Sequence, residues 1–190
     1  MLRELPVTSR HPYHRLLGPR PVYFIGSCRA DGAPHLCAAT NVTSISSDPA
    51  LIAVALWPGW ETTANVRRTR KLTVSLALST QVSAVRLAGH RYTGVTLPPD
   101  APDKFAAAGL TPLATRAGYP PGVAESIAVL ICDVVDVATG LGDHDVAVAS
   151  VVSAWADPDA ISADLVMDVS RQHPLMQITG DRFAVARPMG

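Results

Sequence analysis

Two short polar segments stand out in an otherwise apolar chain: Thr40-Asn-Val-Thr-Ser-Ile-Ser46 and Thr62-Thr63-Ala-Asn65. The first sets hydroxyl and amide groups densely along a stretch with strand character. The second sets two hydroxyls and an amide where a short helix is expected to begin. Free N–H groups and the positive end of the helix dipole make such a terminus a ready phosphate site. Taken one at a time, Thr62 and Thr63 read as a plain N-cap, and residues 40–46 as the polar face of a barrel strand. Those structural readings hold unless something links the two segments.

Other chemistries lack their residues. There is no Gly-x-Gly-x-x-Gly turn and no Gly-x-x-x-x-Gly-Lys-Ser/Thr loop, which argues against a Rossmann dinucleotide site and a P-loop. Gly26-Ser27-Cys28 lies where a strand enters a hairpin and lacks the second glycine of a nucleophile elbow. His11 and His14 have no acid at helical spacing and read as surface residues of an N-terminal arm. His144 follows Gly142-Asp143 and opens a strand, where a barrel rim could present an imidazole to a ligand; a turn histidine is the simpler local reading. Cys28, Cys37 and Cys132 are odd in number without Cys-x-x-Cys spacing, so they read as small core residues, with no disulfide framework or zinc site.

The elements that must position these groups follow from pattern. Residues 21–27 are rich in β-branched and aromatic side chains, and Asp31-Gly32 suits a tight hairpin turn into a strand over 35–46. Ser47-Asp48-Pro49 breaks that strand, and 51–57 reads as a buried third one. A short helix is expected from Thr62 or Thr63, then a half-buried strand at 72–78. Helices are expected at 81–88 and at 103–108, the latter ended by Gly109. Pro-rich loops occupy 98–102 and 118–122, and long strands 126–138 and 145–155. Strands meeting through short turns, without regular helical crossovers, predict a mostly β, antiparallel barrel with added helices in one domain spanning 1–190.

Composition narrows the function classes. The 190 residues are 48% apolar and 17% charged, which fits a globular core. Sixteen basic and sixteen acidic residues cancel, so no global field favours nucleic acid or an anionic membrane. The longest apolar run, 51–57, is far short of the roughly 20 residues that span a bilayer. Met1-Leu-Arg-Glu-Leu-Pro6 carries an acid and a proline where a secretion signal would be apolar, so a cytoplasmic location is expected. A mean hydropathy of +0.21, with Trp57, Trp60 and Trp155 near candidate strand ends, predicts a two-fold homodimer that covers apolar surface.

What links the two polar segments is a resemblance. Pro19-Arg20-Pro21-Val22, Asp31-Gly32, Asn41-Val-Thr-Ser-Ile-Ser-Ser-Asp-Pro49 and Thr62-Thr63-x-Asn65-Val66-Arg67 appear in the order and spacing of the flavin reductase-like family. Asp103-Lys104-Phe105-x-x-x-Gly109-Leu110, the strand around 125–132, Gly142-Asp143-His144 and Pro174-Leu175 are similar too, so the likeness runs from about residue 12 to 183. The resemblance implies an FMN-binding split β-barrel and a homodimer with flavin near the subunit interface. It also implies an NAD(P)H:flavin oxidoreductase that passes electrons to free flavin, iron or a partner oxygenase. Asn41, Val42 and Thr43 would lie along the isoalloxazine edge, mainly through backbone groups, with Ser44 and Ser46 facing the ribityl chain. Thr62, Thr63 and Asn65 would hold the phosphate. Lys104 and His144 match positions that in some relatives reach the flavin ring or the nicotinamide side. No side chain need act as acid or base, since the cofactor carries the hydride.

The chain departs from the family pattern at Ala50, His35 and Cys37. Two alternatives stay open at this level: a flavin- or haem-binding carrier without turnover, and a pyridoxamine phosphate oxidase-like enzyme with Arg67, Arg68, Arg70 and Lys71 gathered for a second phosphate. The choice of nicotinamide and the final acceptor are likewise open.

Overall fold

The computed structural model describes residues 13–189; His11 and the Met1 to Pro6 segment lie outside them. Strands β1 (Arg20–Pro21), β2 (Tyr23–Cys28) and β3 (Pro34–Ala39) come first. The β2–β3 hairpin turns at the expected place, where Asp31 Oδ1 accepts from the Ala33 N–H at 2.9 Å and Gly32 takes a φ of 85°. The strand anticipated over 35–46 is two strands, broken at Thr40-Asn41, so β4 (Val42–Ser47) starts afresh. It pairs with β5 (Ala50–Leu56).

Strands β2, β3, β4 and β5, together with β6 (Lys71–Leu76), β9 (Ala128–Ala138) and β10 (Asp145–Ala156), form one antiparallel sheet. Between β6 and β9 lie α2 (Val82–Ala88), α3 (His90–Thr93), α4 (Lys104–Ala108) and the short pair β7 (Pro112–Leu113) and β8 (Gly122–Val123). The sheet order is β3-β2-β6-β9-β10-β5-β4. Its two edges, β3 and β4, are therefore consecutive in the chain. Thr40 and Asn41 alone connect them, and a link that short spans only about 10 Å. The sheet must curl until its edges nearly meet, which makes a barrel split along one side. Inward residues from six strands accordingly share one core, among them Ile25, Cys37, Val54, Leu72, Val134 and Ala149.

Helix α1 (Glu61–Thr69) lies against β2 and β3 and contributes Val66 to that core. It begins one residue before the expected caps. Trp60 is its N-cap and makes no side-chain cap bond, while its ring packs on the barrel core. The helix start is thus anchored by apolar packing, and Thr62 and Thr63 fall within the first turn. Its C-cap is Arg70 in the left-handed region, with its N–H donating to Val66 O. Helix α4 follows its sequence signals closely: Asp103 Oδ1 accepts from the Ala106 N–H, and Gly109 closes it at φ 64°.

A second core lies outside the barrel, where Phe24 and Leu36 meet Val85 and Ala88 of α2, Phe105 of α4 and Leu175. Leu175 belongs to β11 (Leu175–Thr179), which pairs with β1 and with β12 (Arg182–Val185) in a small separate sheet. Trp57 and Trp155 are 45% and 46% exposed, as their strand-end positions suggested. No helix among the described residues is long and apolar enough to cross a membrane.

Gly26 marks the tightest approach. A methyl group there would collide with the carbonyl oxygen of Pro121 and the hydroxyl of Thr73, which are themselves hydrogen-bonded at 2.9 Å. Gly26→Ala is expected to cost about 1–3 kcal/mol of folding stability, read by urea denaturation; an unchanged midpoint would show that the 119–122 segment yields freely.

Candidate functional site

A cleft of about 1010 Å³ opens beside the split, between the β3–β4 corner, the start of α1 and the α2–α4 region. Its walls explain how distant residues converge. Asn41 reaches it from the corner, where its side-chain oxygen accepts from Arg20 Nη1 at 2.6 Å. Thr62 enters from the first turn of α1, Lys104 from α4, and His144 from the turn before β10, with its Nδ1 2.7 Å from Asp143 Oδ1. That hydrogen bond holds the Asp143 carboxyl below the usual carboxylate range. The turn is pinned from below, because buried Asp145 forms an ion pair with Arg67 of α1.

Four of the ten anticipated site residues, Asn41, Thr62, Lys104 and His144, thus line one cleft. The others sit around it. Thr63 donates to Trp57 O at 2.7 Å and Asn65 donates to Ser27 Oγ at 3.2 Å, so both side chains are engaged in holding α1 in place. Val42, Thr43, Ser44 and Ser46 run along β4, the outer edge of the sheet, where Thr43 and Ser44 are exposed and Val42 packs on the barrel core. Arg67, Arg68, Arg70 and Lys71 do not line the cleft and do not gather. They go separately to Asp145, to Cys28 O, to Val135 O and to Gly118 O.

The cleft also collects residues that sequence reasoning passed over. His35, His90, Arg20, Arg29, Arg91 and Glu61 line it, and His14 stands there too, so four of the six histidines share one cavity. Five arginines or lysines face three acids, and a chain of zero net charge therefore concentrates positive charge here. The signal for His35 was an imidazole inside an apolar strand. For His90, next to Gly89 at the end of α2, no local signal existed.

Polar groups in the cleft are left unsatisfied. Thr62 is fully buried, and the polar group beside its hydroxyl is the buried Cys37 thiol, a weak hydrogen-bond partner. The Nδ1 atoms of His35 and His90 are buried and unpartnered. His35 Nδ1 lies 3.3 Å from Glu61 Oε2 but out of line for a hydrogen bond, and Glu61 is held at its other oxygen by Arg29 Nε at 2.7 Å. Buried polar atoms are nearly always partnered, so two unpartnered imidazole nitrogens and a hydroxyl met only by a thiol, in one cavity, mark a place for a polar ligand. Volume, positive charge and these donors all fit a flavin nucleotide; small-molecule sites run to roughly 1,000 Å³.

A family model for the flavin reductase-like domain matches residues 15–176. The chain belongs to this family. Solved structures agree over nearly the whole length. Component B of nitrilotriacetate monooxygenase from Bacillus cereus superposes with a TM-score of 0.80 at 20% identity, covering 100% of this chain and 98% of its own. The FMN-binding protein of Thermus thermophilus with bound 1-cyclohex-2-enone gives 0.79 at 20%, over 97% and 96%. The NADH:FAD oxidoreductase of Streptomyces globisporus C-1027 gives 0.75 at 19%, over 99% of each chain. The curled sheet is the split β-barrel of this family, and membership places the chain among flavin-binding oxidoreductase domains.

Burial, reinforced by Lys104, Arg29 and His90 and opposed by Glu61, holds the His35 imidazole down to about 4 from its ordinary 6.5. Between these values the unfolded chain carries a proton that the folded chain refuses, so stability falls as pH drops from 6.5 towards 4. His35→Asn should flatten that limb. Denaturant melts at pH 7, 5.5 and 4.5 check it, and parallel losses in both proteins would refute the shift.

Proposed function

We propose that this chain is an FMN-dependent oxidoreductase that takes electrons from NAD(P)H and passes them to free flavin, iron or a partner oxygenase. The observation that carries this reading is the convergence of Asn41, Thr62, Lys104 and His144, from four separate elements, on one positively lined cleft with unsatisfied donors. FMN is favoured because the Thermus relative is an FMN-binding protein and the phosphate-type donors here come early in α1; the Streptomyces relative, named for FAD, makes FAD the comparison ligand. Bound flavin supplies hydride acceptance and onward electron transfer.

The protein's own groups bind and orient. Asn41 would meet the ring edge from the β3–β4 corner. Val42, Thr43, Ser44 and Ser46, expected along the ring and ribityl chain, lie on the β4 edge outside the cleft lining and would reach the flavin only where it extends past that edge. Thr62 would turn its hydroxyl, met in the protein only by the Cys37 thiol, to the phosphate, with Thr63 and Asn65 shaping the helix turn that presents it. Lys104 and His144 stand on the ring or nicotinamide side. The dispersal of Arg67, Arg68, Arg70 and Lys71 weighs against a second phosphate site of the pyridoxamine phosphate oxidase kind.

The test begins with binding. Addition of FMN should quench its fluorescence, and NADH or NADPH should then be oxidised steadily; a chain that leaves FMN unquenched would end the reading, and quenching without turnover would make it a carrier. Thr62 and Thr63 now predict different outcomes. Thr62→Val removes a hydroxyl whose partner in the protein is only a thiol, so FMN should weaken on the order of tenfold or more while riboflavin and apo-protein stability change little, since a hydrogen bond to a charged group is worth about 1.5–3 kcal/mol. Thr63→Val removes the bond to Trp57 O and should cost about 0.5–1.5 kcal/mol of stability, with less effect on FMN.

We place the chain in a homodimer. Ile45 on the edge strand, Trp57 beyond β5, and Leu16, Leu17 and Ile178 at the small sheet are all exposed apolar side chains. Light scattering should give twice 20.0 kDa at micromolar concentration, and a mass of one chain would remove the claim.

A further inference from the structure

One wall of the cleft is not used by the anticipated flavin residues. Trp57 follows directly on β5 and lines the cavity, and it is 45% exposed. Its backbone is pinned: the Trp57 carbonyl oxygen accepts from the Trp60 N–H at 3.0 Å and from Thr63 Oγ1 at 2.7 Å. The ring is fixed as well. A methyl group at Gly59 would overlap Cζ3 and Cη2 of the indole, so the ring lies directly on the glycine backbone. Gly59 does not adopt the left-handed conformation, and the residue is therefore glycine to make space for the indole. Among the described residues, no arginine or lysine lies over this ring.

The same glycine anchors a cation. Arg91 of α3 lines the cleft and donates from Nη1 to Gly59 O at 3.4 Å, a long bond that leaves most of its donor fork available. No carboxylate pairs with Arg91 among the described residues. Gly59 thus sets an aromatic plane and an uncompensated guanidinium side by side. That juxtaposition matches a planar heteroaromatic base joined to phosphate: the indole stacks on the base, and the planar fork takes phosphate oxygens.

We propose that Trp57 and Arg91 form a subsite for an adenosine phosphate, with the purine stacked on the Trp57 ring and a phosphate group on Arg91. The choice of adenine rests on the reading of the cleft as a flavin and nicotinamide site, because NAD(P)H and FAD share that half of the molecule. The subsite uses neither Thr62 nor the His144 turn. It gives the cleft a hold on the part of a dinucleotide that does not react, and binding energy gained there positions the part that does. Trp57 is also one of the exposed apolar side chains assigned above to the homodimer, so the experiment must separate stacking from subunit contact.

AMP and adenosine are titrated into the protein and into Trp57→Leu, Trp57→Phe and Arg91→Gln, by calorimetry and indole fluorescence. AMP should bind and quench the indole. Trp57→Leu should weaken AMP and adenosine alike by about tenfold, the order expected for one lost base–aromatic stack, and Trp57→Phe should restore most of the loss. Arg91→Gln should weaken AMP and leave adenosine unchanged. Gly59→Ala keeps the indole but displaces it, so it should behave as Trp57→Leu does. Two pairs identify the source of the adenosine: FAD against FMN, and NADH against reduced nicotinamide mononucleotide. In the pair that uses the subsite, the dinucleotide loses its advantage in Trp57→Leu. AMP affinity unchanged in Trp57→Leu, or a Trp57-independent advantage in both pairs, overturns the subsite. Light scattering adds the competing role: a dimer that dissociates in Trp57→Leu while AMP affinity holds makes Trp57 a subunit contact and also overturns it. Trp57-dependent AMP binding in a protein that leaves FMN unquenched upholds the subsite and ends the oxidoreductase reading. FMN turnover with no effect of Trp57 on any adenosine compound does the reverse.

Discussion

The connection through Thr40 and Asn41 governs the rest of the molecule. Two residues join strands that occupy opposite edges of a seven-stranded sheet, and covalent reach forces those edges together. Curling gives the sheet an inside, which Ile25, Leu72 and Val134 fill from separate strands. It also leaves a seam, since β3 and β4 are not hydrogen-bonded neighbours. The hydrogen bond from the Ala55 N–H to Asn41 O, at 2.9 Å, ties the corner to β5, and the cleft opens beside it.

Two packed cores meet at that cleft. The barrel interior fixes the start of α1 through Trp60 and Val66, and the outer core fixes α2 and α4 through Val85, Ala88 and Phe105. Polar groups presented from both sides are therefore held by packing and not by one another. This is why the Nδ1 atoms of His35 and His90 can lack a hydrogen bond in the folded chain: the apolar contacts on either side support an arrangement that local hydrogen bonding would not choose.

Much of this was legible residue by residue. Asp31-Gly32 announced a hairpin, Gly109 closed the helix where expected, and alternation in residues 72–78 marked a strand, because each signal acts over a few residues; the half-buried face expected there is absent, since β6 lies in the middle of the sheet and is buried from Leu72 to Leu76. The break at Thr40-Asn41 carries no proline or glycine and is imposed by closure of the sheet, a long-range event. The start of α1 was misplaced by one residue for a similar reason: two threonines look like caps, but the partly buried Trp60 ring packed against the barrel core decides the register. Arg67 to Lys71 are neighbours in sequence and diverge in space, whereas His35 and His90 are distant in sequence and converge. The first pair of polar segments was recoverable from a family resemblance; the histidine pair had no motif to carry it.

The balance of sixteen bases and sixteen acids conceals a separation of charge. The cleft holds an excess of two bases, so the remaining surface carries an equal excess of acids. Such a molecule is a dipole with its positive pole at a concave mouth, where low-dielectric walls concentrate field lines. An anionic ligand approaching such an opening is attracted from beyond contact distance, and added salt, with a Debye length of about 8 Å at physiological strength, weakens that attraction. Neutrality over the whole chain thus coexists with a local excess of positive charge in this cleft.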